Sequence, residues 1–295
     1  MEFIEAKTIL TPVRYGNEWY GIDYNMNLYK GCSHGCIYCD SRSECYGIHD
    51  FDSVKAKKDA LIILENELKR KRNKGIIGIG SMSDPYNPQE EKYEYTRGSL
   101  KLIQKYGFGV SIDTKSNLIL RDLDIISKIN EEHNVIVKFT ITCANDDLCK
   151  KIEPNVCVSS KRFETIKQIS DKGIYCGVMM NPVLPFITDN EENIKEIVKK
   201  AYECGAKFIY TYMGMTLRDI QKEYYFNKLD EHFLGMKNQY ILFYRGKYNC
   251  RIPNYEKLYK LFVAECKKYG ILYRMNDIIN DYKKNKIDFE QVSLF

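Results

Sequence analysis

The sequence predicts an α/β chain folded as an open or partial (β/α)6 barrel with a helical C-terminal extension. Three observations carry this. Short β-branched or apolar runs alternate with helical stretches between residues 27 and 230, which is the pattern of parallel βαβ units. Glycines follow several helical stretches, at Tyr106-Gly107, Lys172-Gly173 and Cys204-Gly205, as C-terminal caps do. Six units fit into this span, too few to close an eight-stranded barrel.

The elements follow in order. The first strand is expected at Asn27–Gly31. A helix over Ser53–Arg72 leads to a strand at Gly75–Ser83, and a helix over Arg97–Tyr106 leads to Gly109–Lys115. Helices over Leu120–Asn130, Lys161–Lys172 and Asn190–Cys204 precede strands at Val135–Thr142, Ile174–Asn181 and Lys207–Tyr212. Thr188-Asp189 reads as the N-cap before Glu191 and Glu192. After Asp230 come helices over Asn254–Tyr269 and Asn276–Lys284, around a Tyr-rich, less regular stretch. The expected divisions are an N-terminal lead (1–26), the barrel (27–230) and the extension (231–295). Chemistry in such folds collects at the C-terminal ends of the strands.

Composition narrows the class. The chain has 295 residues, 44% hydrophobic and 29% charged, enough apolar surface for a large core. A disordered, collagen-like or disulfide-stapled chain is excluded. No apolar run approaches the roughly 20 residues that span a bilayer. The start, MEFIEAKTIL, lacks the basic and apolar regions of a signal peptide. A cytoplasmic location away from membranes is therefore expected, and the eleven cysteines are expected to be ligands, catalytic groups or core residues. The net charge of +5 permits a polyanionic partner without demanding one.

The strongest local signal is Gly31-Cys32-Ser33-His34-Gly35-Cys36-Ile37-Tyr38-Cys39. Three cysteines in a glycine-bearing loop can turn three thiolates toward one point. A 4Fe–4S cluster usually takes four such thiolates, so three leave one iron open for chemistry. The alternative is a zinc site completed by Cys45, His34 or His49, which would make the chain a non-enzymatic zinc-binding protein.

This motif resembles that of the radical S-adenosylmethionine (SAM) superfamily. The ordered blocks NLYKGCSHGCIYCDSR, SMSDPYNPQE, DTKSNLILRDLDII, KIEPNVCVSSKRFETI and NPVLPFITDNEENI resemble its spore photoproduct lyase-like subfamily, of DNA repair photolyase type. The resemblance implies a 4Fe–4S cluster on Cys32, Cys36 and Cys39, and SAM cleaved to a 5′-deoxyadenosyl radical. It also implies an electron donor such as flavodoxin or ferredoxin. Ser81, Ser83 and Asp84 are implied to hold the methionine amine, and Lys115 and Arg162 the methionine carboxylate or ribose. Asn181 and Leu184, with Tyr38, are implied to surround the adenine. Thr140 and Thr142 alternate on the fourth strand and are expected to face the pocket. The subfamily's hydrogen-donating cysteine has no match between Asp84 and Tyr106, which leaves Cys45 and Cys143 as candidate donors.

Two further features concern partners. The stretch from Lys55 to Lys74 carries eight basic and three acidic residues, which could grip the phosphates of DNA or form an ordinary solvated face. The C-terminal Gln291-Val292-Ser293-Leu294-Phe295 resembles the pentapeptide that binds the bacterial sliding clamp, with Gln291, Leu294 and Phe295 as contacts. The function expected is repair or modification of DNA. The alternatives are a radical SAM enzyme acting on RNA, a peptide or a small metabolite, or a zinc protein docked on the clamp.

Overall fold

The computed structural model describes residues 1–13 and 19–284. Its strands are β1 (Glu2–Ile4), β2 (Leu10–Pro12), β3 (Tyr24–Met26), β4 (Tyr29–Lys30), β5 (Lys55–Lys57), β6 (Ile76–Ile79), β7 (Gly109–Thr114), β8 (Val135–Thr140), β9 (Cys176–Met180), β10 (Phe208–Thr211), β11 (Gly214–Thr216) and β12 (Asn249–Arg251). The main sheet runs β10-β9-β8-β7-β6-β3-β2. Its strands β3, β6, β7, β8, β9 and β10 are mutually parallel, and β2 closes one edge antiparallel to β3. Six parallel strands with helical crossovers make the partial barrel that the alternation predicts.

The helices are α1 (Ala60–Arg70), α2 (Glu90–Tyr93), α3 (Tyr95–Lys105), α4 (Leu123–Glu132), α5 (Asp146–Ile152), α6 (Ser159–Asp171), α7 (Glu191–Glu203), α8 (Asp219–His232), α9 (Met236–Tyr244), α10 (Tyr255–Tyr269) and α11 (Met275–Lys284). Each crossover helix lays one apolar stripe on the sheet at spacings of three and four residues. In α1 the stripe is Ala60, Leu64 and Leu68, in α4 it is Ile125, Ile126 and Ile129, and in α7 it is Ile194, Ile197, Val198 and Ala201. A fully buried Leu or Ile contributes about 1.5–3 kcal/mol, so these stripes outweigh the modest helix propensity of their isoleucines. No helix among the described residues is long and apolar enough to cross a membrane.

Three expectations are corrected. The first parallel strand is Tyr24–Met26, not Asn27–Gly31. Tyr29 and Lys30 instead pair antiparallel with β5 in a separate three-stranded sheet, β1-β5-β4. The same sheet removes the first turns of the helix expected from Ser53, because Lys55–Lys57 pairs with both β1 and β4. The N-cap of α7 is Asn190, whose side chain accepts from the Asn193 amide at 2.9 Å. Thr188 turns inward and accepts from the Leu184 amide. Helix α8 runs through residue 230, and Leu258, Phe262 and Cys266 of α10 share one core with the barrel strands.

Candidate active site

The cysteine loop leaves β4 at Gly31, whose φ is +84°. A Cβ there would lie 2.6 Å from the Phe51 carbonyl oxygen, so only glycine fits the turn. Gly35 makes the second corner at φ +70°. The loop is tied from both flanks. The Cys32 amide donates to Phe51 O at 2.8 Å, and the Ile37 amide to Ile152 O at 3.0 Å. Asn155 holds the His34 carbonyl through its amide and the Ser33 carbonyl through Nδ2. The segment between α5 and α6 thus clamps a loop that precedes it by more than a hundred residues.

Behind the loop lies a buried polar network. The Tyr38 hydroxyl donates to Glu153 Oε1, and Arg162 pairs with Glu153 Oε2 at 2.5 Å. Arg162 also donates to the carbonyls of Cys157 at 2.8 Å and Thr140 at 2.9 Å. Burial alone would raise the Glu153 carboxyl, but Arg162 and Lys115 outweigh it and hold it below its usual range.

A cavity of about 390 Å³ opens at the C-terminal ends of β6 to β10. Tyr38, Cys39 and Asp40 line it from the loop, and Ser81, Asp113, Lys115, Thr140, Met179 and Asn181 from the strand ends. A roomier groove of about 620 Å³ between α7 and α10 is lined by surface Glu and Lys side chains and touches no strand end. The chemistry points to the smaller one. The Lys115 ammonium lies 5.9 Å from the centre of the Tyr38 ring. Burial opposes its charge, yet Cys36, Glu153, Asp84 and Cys39 together raise its pKa above the usual value.

The thiol chemistry suits a metal cluster. Cys32 and Cys36 are buried and Cys39 is half-buried. Burial pushes the Cys32 thiol up to about 12 and the Cys36 thiol well above its usual value, with Lys115 opposing the rise at Cys36. Buried thiols of this kind ionise only beside strong positive charge, which iron supplies. Among the described residues no three His, Cys, Asp or Glu side chains are gathered as a group for a single metal ion. The fit therefore rests on the loop corners, the burial and the charge coupling among the three thiols.

The expected cofactor residues separate into two groups. Tyr38, Ser81, Lys115, Thr140 and Asn181 line the cavity. Ser83, Asp84, Thr142, Arg162 and Leu184 do not. Asp84 has both oxygens occupied: Oδ1 accepts from the Tyr86 amide and the Thr114 hydroxyl, and Oδ2 from the Lys115 amide, with His34 Nδ1 at 3.5 Å. It anchors the Lys115 backbone. Arg162 is committed to Glu153, and Leu184 and Thr142 are fully buried. Cys45 is exposed and bonded to Ser43, while the Cys143 thiol donates to Asn145 O; neither reaches the cavity. Gln291, Leu294 and Phe295 lie outside the described residues.

Sequence reasoning missed Trp19, Asp40, Asp113, Tyr212 and Met215 in the lining. Asp113 had a signal, since it lies two residues before Lys115 and so shares its strand face. Trp19 and Met215 had none, because they reach the cavity through tertiary packing.

Comparison with known proteins decides the family. Residues 26–201 match the family model of the Radical SAM superfamily. The chain belongs to that superfamily. It is 28% identical over 249 residues to an uncharacterized protein of Mycobacterium tuberculosis, covering 82% of this chain and 72% of that protein. It is 34% identical over 195 residues to an uncharacterized protein of Methanocaldococcus jannaschii, covering 65% and 71%. Its fold resembles spore photoproduct lyase complexed with dinucleoside spore photoproduct, with a TM-score of 0.66 at 12% identity over 92% of this chain and 81% of that one. It is a radical SAM enzyme, and SAM and a 4Fe–4S cluster are the cofactors of its superfamily.

Proposed function

We propose that this radical SAM enzyme acts on a nucleobase of DNA, in repair or modification. Cys32, Cys36 and Cys39 would hold the cluster, leaving one iron for SAM. The chemistry supplied by the reduced cluster with SAM is homolytic cleavage to methionine and a 5′-deoxyadenosyl radical, which takes a hydrogen atom from the substrate. The residues of this chain bind, orient and exclude water around that event. Lys115 offers a fixed cation to a carboxylate. Ser81 and Asn181 offer hydrogen bonds at the ends of β6 and β9.

The observation that carries the nucleobase reading is the wall of the cavity. Trp19, Tyr38 and Tyr212 present rings to it, beside the thioethers of Met179 and Met215. Trp19 and Tyr212 remain 37% and 38% exposed, so they are open to stacking by an incoming flat group. The rim is basic. No acidic residue occurs between Glu231 and Glu256, whereas Arg245, Lys247 and Arg251 are exposed. This rim joins the cavity directly, because the Tyr212 hydroxyl donates to Asn249 at 2.9 Å and β12 pairs with β11. A base inside a duplex must leave the stack to enter such a site.

The test is SAM cleavage by the reduced, reconstituted protein with and without DNA. Release of 5′-deoxyadenosine should rise when DNA is added and vanish with Cys36→Ala. No response to damaged, single-stranded or duplex DNA would remove the DNA reading while leaving the radical SAM assignment. Two partner readings belong to the same proposal. A flavodoxin or ferredoxin would deliver the electron, and the C-terminal pentapeptide would tether the enzyme to the sliding clamp.

A further inference from the structure

The cysteine loop is clamped at its start by Phe51 and further on by Asn155 and Ile152, but its last cysteine is held from elsewhere. The Cys39 amide donates to Cys36 O and its carbonyl accepts from the Arg42 amide, both at 3.3 Å, which fixes it only to its own turn. The next residue, Asp40, reaches across the fold. Its Oδ1 accepts from the Thr216 hydroxyl at 2.7 Å, and its Oδ2 from Arg218 Nη2 at 2.6 Å and the Tyr46 hydroxyl at 2.9 Å. Asp219 accepts from Ser43 Oγ at 2.8 Å, and Gln221 Nε2 donates to the Tyr38 carbonyl at 3.4 Å. The turn from β11 into α8 thus grips the far end of the loop from 176 residues away.

Stability does not account for this convergence. The Asp40 and Arg218 side chains remain 36% and 27% exposed, and ion pairs so open to water are worth little to the fold. Nor is Asp40 free to take substrate, although it lines the cavity: three donors of this chain already occupy its two oxygens. What the contacts do is local. Consecutive Cα atoms are about 3.8 Å apart, so holding the Asp40 carboxylate limits where the Cys39 thiol can point. Outer contacts of this kind orient metal ligands, and net charge beside an iron–sulfur cluster tunes its potential.

We infer that Asp40 is a positioning residue for the cluster ligand Cys39, and that Arg218 both holds it there and balances its charge. This rests on the assignment of Cys39 to the cluster above. Two substitutions separate position from charge. Asp40→Asn removes the negative charge and keeps all three contacts, with its amide oxygen toward Tyr46 and Arg218 and its NH₂ toward the Thr216 hydroxyl. Asp40→Ala removes the contacts as well.

The experiment uses the reconstituted full chain without SAM or substrate, and reads the rate at which a chelator strips its iron and the midpoint potential of its cluster. Asp40→Ala should lose iron at least about tenfold faster than wild type, in line with the loss of an outer contact to a metal ligand. Asp40→Asn should lose it at the wild-type rate. The potential should rise in Asp40→Asn, which leaves the Arg218 cation unbalanced, and fall in Arg218→Gln, which leaves the carboxylate unbalanced. The double variant Asp40→Asn/Arg218→Gln should return close to wild type. Loosened packing alone would move both single variants the same way. The inference is overturned by wild-type iron retention in Asp40→Ala, or by potential shifts of one sign in the two charge variants. Should Asp40→Ala fail to fold, the signs in the two charge variants still decide. Cys39→Ala should hold no stable cluster; a full cluster there would overturn the ligand assignment and this inference together, and only that variant would show it.

Discussion

Single residues decide what the site can hold, and several do so by being occupied elsewhere. Arg162 and Glu153 illustrate the energetics. Both are fully buried, so removing one partner strands the other's charge. Arg162→Met should cost about 3–5 kcal/mol in urea unfolding, and a Glu153→Met/Arg162→Met double variant less than that single change. Equal losses would mean the pair is not coupled. Asp189 gives a pH-dependent case. Burial pushes its carboxyl up to about 6, above its unfolded value. The native state therefore holds a proton that the unfolded chain releases between about pH 4 and 6, and stability falls as pH rises through that window. Asp189→Asn should raise the melting temperature at pH 7 and leave it unchanged at pH 4. The reverse pattern would contradict the burial assignment. At this scale the sequence was only partly legible. Lys115 and Asn181 were recognisable from their place at strand ends, whereas the engagement of Asp84 with the Lys115 and Tyr86 amides depends on turns that no spacing reveals.

Elements were more legible than residues, since apolar stripes and closing glycines record burial directly. β7 and β8 appear within two residues of their expected limits because nearly every side chain in them is buried. The misplacements fall where a second sheet competes. Tyr24, Met26 and Leu28 alternate without a break, so nothing in the pattern says that the main sheet ends at Met26. Likewise Lys55–Lys57 has the composition of a helix and is a strand only because β1 and β4 flank it. The cysteine loop is the element with the narrowest tolerance. Gly31→Ala forces a side chain into a left-handed turn and against the Phe51 carbonyl, and should abolish iron–sulfur absorbance after reconstitution while the helical circular dichroism persists. Normal cluster content in this variant would show that the corner is not required.

The whole molecule has two ends, and charge is divided between them. α1 descends from the cavity end, so its basic C-terminal run, Lys69 to Lys74, lies at the opposite end of the barrel, just before β6 begins. The composition of that run suggested a phosphate grip, but topology separates it from the cavity. Arg245, Lys247 and Arg251 lie instead on and just before β12, which pairs with the cavity-lining β11. Arg245→Glu/Lys247→Glu should weaken DNA binding and reduce the salt slope by about 2, at roughly 0.9 per phosphate contact. Lys69→Glu/Arg70→Glu should leave both unchanged, and equal effects from the two pairs would refute the assignment of ends. Deleting Leu294 and Phe295 should abolish binding to the purified sliding clamp without altering SAM cleavage.

The clamp on the cysteine loop has a consequence for biosynthesis. Tyr38 and the Glu153 that holds it are 115 residues apart in the chain. At about 5–20 residues per second, a ribosome completes the loop roughly 6–23 seconds before it completes the segment that fixes it. During that interval the three cysteines emerge with half of their framework missing. Chains halted before α5 should therefore carry no stable iron, whereas the full-length chain should take up the cluster under the same conditions.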